Sequence, residues 1–129
     1  MGWFRRASAE QHPLADTDVW IVPLHVKGGA EPLPPPFDGA YVSAFCRGDN
    51  PTLAAWAAIQ AIEAMGYSVP ESPTSADQIK AADFEKFVSQ QWPEVAGELP
   101  TQAEFYNLMS ESRVVLGPFG AYEASQSTG

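Results

Sequence analysis

The chain has 129 residues, 45% hydrophobic and 18% charged, a length and composition that suit one globular domain with its own core rather than a disordered segment. Sixteen acids against seven bases give a formal charge of −9. A field of that sign repels phosphate backbones and anionic lipid, which excludes nucleic acid and membrane surfaces as expected partners and points to a basic protein.

The single cysteine, Cys46, excludes an internal disulfide and any zinc site with two thiolates. No run approaches the roughly 18 apolar residues of a membrane span, and the double arginine Arg5-Arg6 is followed by no apolar stretch, so the expected location is the cytoplasm.

In chain order, residues 1–16 carry no period and read as a flexible arm, with Trp3 and Phe4 available to dock on the body. Asp18 to Val26 is the strongest strand signal, rich in β-branched and aromatic residues. Its alternation puts Trp20, Val22, Leu24 and Val26 on a core face and Val19, Ile21, Pro23 and His25 on the other. Pro23 cannot donate a ladder hydrogen bond, which predicts an edge position or a bulge. Residues 27–38 read as a connector stiffened by the proline run, close to polyproline II. Gly39 to Arg47 predicts a second strand, antiparallel to the first. Tyr41, Ser43, Phe45 and Arg47 share one face, and the small residues Val42, Ala44 and Cys46 share the other.

Asn50 as N-cap, Pro51 in the first turn and Gly66 as a left-handed stop delimit the clearest helix. Leu53, Ala54, Ala57, Ala58, Ala61, Ile62 and Met65 form its predicted apolar face, and Trp56 stands on the polar stripe with Gln60 and Glu63. Gly66 to Val69 predicts a short third strand, and Ser75-x-x-Gln78 a capping box opening a helical turn. Asp83 is the predicted N-cap of a helix that buries Phe84, Phe87, Val88 and Trp92 and ends before Pro93. Thr101 and Glu104 make a capping box for a third helix with Phe105, Leu108 and Met109 inside. Residues 113–116 predict a final strand, and 120–129 a flexible tail.

These elements predict a single α+β domain: a small antiparallel sheet of three to four strands, with two to three helices packed mainly on one face. Of chemistry there is little. The histidines are His12 and His25, no phosphate-binding glycine loop or nucleophile elbow is present, and neither Asp16 with Asp18 nor Glu94 with Glu98 has histidine support, so no metal, cofactor or catalytic residue is expected.

What remains is an acidic surface with stray aromatics. It predicts a non-enzymatic protein-binding module, such as an immunity- or antitoxin-like inhibitor of a basic partner, contacting it through Trp56, Gln60, Glu63, Asp83, Glu94 and Glu98. Two alternatives stand beside it. One is a small enzyme or ligand-binding protein with a site assembled around Cys46 and His25, together with Tyr41 or nearby carboxylates. The other is a self-associating subunit, so that the chain is a monomer or a homodimer.

Overall fold

The computed structural model describes residues 12–123. β1 (Asp18–Val26) and β2 (Phe37–Arg47) run antiparallel in an unbroken register from Val19 opposite Arg47 to Val26 opposite Ala40. β3 (Asp77–Lys80) pairs with the first half of β1, ending with Asp77 opposite Ile21. β4 (Val115–Leu116) and β5 (Gly120–Glu123) share the far edge of β2, β4 opposite Ala44 and Phe45 and β5 opposite the stretch from Phe37 to Tyr41. The result is a five-stranded antiparallel sheet in the order β3-β1-β2-β4, with β5 beside β2. Three helices complete the expected α+β fold: α1 (Pro51–Ala64), α2 (Phe84–Gln91) and α3 (Gln102–Ser110).

The helices divide between the faces because β1 and β2 are apolar along one face and, on the other, at Val19, Ile21 and Phe45. Val22, Leu24, Val26, Val42, Ala44 and Cys46 meet Ala54, Ala58 and Ile62 of α1. On the other side Val19, Ile21 and Phe45 meet Phe84 and Val88 of α2 and Phe105, Tyr106 and Met109 of α3. Small residues let α1 lie close to the sheet, whereas the second layer is filled by rings. Phe45 stands edge-on to Phe84 at 5.1 Å between centroids, and Phe84 stacks on Phe105 at 3.8 Å. Each such side chain removed from water contributes roughly 1.5–3 kcal/mol.

The helix ends follow local chemistry, with one exception. The Asn50 side chain accepts from the Leu53 N–H, and Gly66 stops α1 at φ +92. There a Cβ would also lie 2.7 Å from that of Glu31. At α3, Thr101 and Glu104 form the full capping box. Asp83, in contrast, makes no side-chain cap. The chain enters α2 from a short 3-10 turn, Ala81–Asp83, and the N-termini of α2 and α3 cap each other. The Glu85 N–H donates to Gln102 Oε1 at 3.1 Å, and the Gln102 N–H donates to Glu85 Oε2 at 3.2 Å.

Several local expectations are corrected. The buried side of α1 is Ala54, Ala58 and Ile62, while Leu53 and Met65 are exposed. A helix so rich in alanine has too little contrast between its sides for the pattern to fix its rotation. Residues 66–69 form only a single bridge, Ser68 with Lys27, and it is Asp77–Lys80, behind the presumed Ser75 cap, that becomes the strand. Residues 120–123 are β5, held by β2.

Within the predicted arm, Ala15 is buried and His12 stacks on Tyr106 at 4.0 Å. Trp3, Phe4 and residues 124–129 lie outside the described residues. The proline run ends in a turn closed by the Phe37 N–H on the Pro34 carbonyl, 3.0 Å, rather than remaining extended.

Pro23 sits mid-strand without a bulge. The Lys27 N–H points away from β2, to Ser68, so by the two-residue repeat of a strand the Pro23 nitrogen points the same way. β3 has already ended opposite Ile21. Pro23 therefore occupies a local edge, and the loop 69–76 bows out beside it.

Candidate functional site

The second face of the sheet is only half covered. Beyond Val19, Ile21 and Phe45, residues Pro23, His25, Tyr41 and Ser43 floor a groove of about 810 Å³, a size that suits a side chain or small ligand. Trp92 and Val95, just past α2, form one wall. Residues 71–75 and the Pro118-Phe119-Gly120 turn form the others.

His25 organises this groove. Its Nδ1 contacts the Glu71 carboxylate, and its Nε2 lies 2.6 Å from the Tyr122 hydroxyl. Because a carboxylate only accepts, Nδ1 carries the proton, so in neutral His25 the Tyr122 O–H donates to Nε2. Tyr41 stacks against the imidazole at 4.8 Å and remains 60% exposed. The Tyr122 ring occupies the space above Gly39, where a Cβ would lie 2.2 Å from its Oη.

Chemically the chain Glu71–His25–Tyr122 can shift a proton from phenol to imidazole. Yet Tyr122 is not among the residues lining the groove. The arrangement fixes the ring of His25 and the carboxylate of Glu71, and so ties the loop 69–76 to β1.

On the other side of that loop runs a second groove, about 680 Å³, between the loop and α1. Trp56, Ile59 and Glu63 line it from the helix, and residues 72–75 separate it from the first. Trp56 is 61% exposed and Leu53 53%.

No protein-family model, curated protein or solved structure matches this chain.

Charge in both grooves is of one sign, as it is in the hollow lined by Glu98 and Glu104. Among the described residues their only Asp, Glu, Lys or Arg side chains are Glu71 and Glu94 in the first and Glu63 in the second. Lys27 pairs with Asp38 at 2.8 Å and Lys80 with Asp18 at 2.7 Å, hydrogen bonds that push both lysines above their ordinary range. Arg113 lies 3.7 Å from Glu111, and Arg47 donates to the Met109 carbonyl at 3.1 Å. Four of the described cations are thus engaged within the fold.

Of the six expected contact residues, Trp56, Gln60 and Glu63 belong to α1. Asp83, Glu94 and Glu98 belong to the layer of α2 and α3. Glu94 lines the first groove and Glu98 a separate hollow beside Pro100 and Asn107. Cys46 and His25 do not meet. Cys46 pairs with Trp20 in register and points to α1, whereas His25 pairs with Tyr41 on the other face. Burial pushes the Cys46 thiol up to about 12, which leaves it without thiolate character.

The carboxylate that joins His25 is Glu71, and the phenol is Tyr122; in sequence Tyr122 is a tail aromatic without a core role, and neither residue carries a signal that it meets His25. Glu71 sits in a loop, and the strand around Tyr122 is only four residues long. No helix among the described residues is long and apolar enough to cross a membrane, and no group of three or more His, Cys, Asp or Glu stands ready for a metal.

Proposed function

We propose that this protein is a non-enzymatic binding module for a basic protein partner, of the kind that an immunity or antitoxin inhibitor represents. The observation that carries this reading is the pair of grooves flanking the loop 69–76. Each presents an exposed aromatic, Tyr41 or Trp56, and among the described residues the only Asp, Glu, Lys or Arg side chains lining either are carboxylates. Aromatic anchors beside one sign of charge are what a steered interface uses: the field brings the partner in, and the ring supplies affinity once desolvated.

The test is capture of partners by the tagged protein and by Trp56→Ala. A basic protein should be retained by the wild type, released by about 0.5 M salt, and bound at least roughly 30-fold more weakly by the variant, the loss expected of an aromatic hot spot. Partners indifferent to both salt and Trp56 contradict the reading.

The Glu71–His25–Tyr122 chain favours a second reading, a ligand-binding protein that moves a proton through His25. It requires that Tyr122→Phe abolish turnover or ligand uptake while leaving capture of a protein partner unchanged. The opposite pattern supports the binding module.

A further inference from the structure

We infer that the sheet-face groove receives a basic side chain, an arginine, presented by the protein partner, with its guanidinium over the Tyr41 ring and its charge facing Glu71 and Glu94. This inference rests on the binding-module reading and assigns the first groove a specific occupant.

Three features point to that chemistry. The first is an aromatic platform. Tyr41 is backed by His25 at 4.8 Å, and its 60% exposure leaves ring surface open. A guanidinium stacks on such a face with an attraction that grows as water is excluded. The second is an oriented carboxylate. The contact with His25 holds Glu71, yet the Glu71 side chain stays 67% exposed, so its carboxylate remains open to a second donor. Carboxylates match the fork of a guanidinium. The third is charge: Glu71 and Glu94 line the groove, and no described lysine or arginine lines it with them. Trp92 supplies an apolar wall for the methylene stem of the incoming residue.

The same aromatic cluster already accommodates a cation from this chain. Tyr122 lies 5.6 Å from Tyr41, and Lys27 Nζ sits 5.8 Å from the Tyr122 ring centre. Moreover, on its edge away from β2, β1 has no described strand beside it between Ile21 and the Lys27–Ser68 bridge, so the floor of the groove is reached along an unpaired stretch of that edge.

The experiment uses the full chain labelled with 15N, titrated with a short peptide containing one arginine and with the same peptide carrying citrulline there. Citrulline keeps the shape and removes the charge. The arginine peptide should shift amides at Tyr41, Ser43, Glu71 and Glu94, and bind roughly 10-fold more tightly than the citrulline peptide. Tyr41→Ala should lose a similar factor and Tyr41→Phe little, both with the remaining spectrum unchanged.

Equal binding of the two peptides, or shifts confined to α1, overturns the inference. So does N-acetylarginine amide binding as tightly as the peptide, since that marks a site for a small free cation. Failure here leaves the broader reading standing if Trp56→Ala still releases a captured basic partner. If that capture fails as well, both fall.

Discussion

On one face of the sheet, Val19, Ile21 and Phe45 are sealed beneath α2 and α3, while Pro23, His25, Tyr41 and Ser43, further along the same two strands, floor an open groove. The difference is one of length. At about 3.3 Å per residue the nine residues of β1 extend about 30 Å. At 1.5 Å per residue the eight residues of α2 extend about 12 Å, and Pro93 follows at once. Even laid along the strands, α2 alone leaves most of their length bare, and α3 packs on the same end, with Phe105 stacked on Phe84. The sealed half is filled mainly by Val, Ile, Met and Phe side chains with Tyr106 among them, and the bare half has a histidine with both ring nitrogens in contact with polar partners.

The largest effect is expected in the sealed half. Phe45→Ala removes a fully buried ring that meets Phe84, Phe87, Trp92 and Phe105. It should cost roughly 3–5 kcal/mol in urea unfolding. A cost below about 1.5 kcal/mol would mean that α2 and α3 do not depend on the sheet.

The α1 side, also sealed, can be probed through pH. An unfolded thiol titrates near 8.5, and Cys46 in the fold only near 12. Above the unfolded value, the native state retains a proton that the unfolded chain gives up. Stability is therefore intact below about pH 8.5 and falls as pH rises towards 12, by up to about 1.4 kcal/mol per pH unit. Denaturation at pH 7 to 11 should show a steeper decline for the wild type than for Cys46→Ala. Equal slopes would place the thiol in contact with water.

In the open half the effects should be smaller. Gly39→Ala sets a methyl group where the Tyr122 hydroxyl lies. Displacing that ring from His25 should cost roughly 1–3 kcal/mol. Combined with Tyr122→Ala, the two losses should be less than additive; full additivity would show that the ring does not press on Gly39. Smallest of all, Glu71→Gln weakens a largely exposed pair with His25 and should change stability by no more than about 1 kcal/mol, measured by thermal unfolding at pH 6.

The two halves also differ in how far the residues announced them. The sealed parts were legible: the alternation of β1, the small face of β2, the ends of α1 and the box at Thr101 are local signals, and each formed. The fold class followed from them. The rotation of α1 did not, since alanines bury almost as readily on any side. β3 and β5 were hidden because four-residue strands at an edge owe their structure to the neighbour that pairs with them.

The groove was legible only in part. Alternation places His25 and Tyr41 on strand faces, and Trp56 stands as an aromatic on a polar stripe. Glu71 and Tyr122, however, reach His25 across sequence separations of 46 and 97 residues, and no local pattern encodes such a meeting. Cys46 is the single thiol of the sequence, and the parity of its strand turns it to α1.

The division of labour between the halves is tested most directly by Tyr41→Ala, with unfolding free energy and affinity for the single-arginine peptide measured on the same sample. The variant should lose less than about 1.5 kcal/mol of stability, the range of an exposed or adaptable position, while its peptide affinity falls roughly 10-fold. A variant that binds the peptide undiminished, or that unfolds as readily as Phe45→Ala, would contradict it.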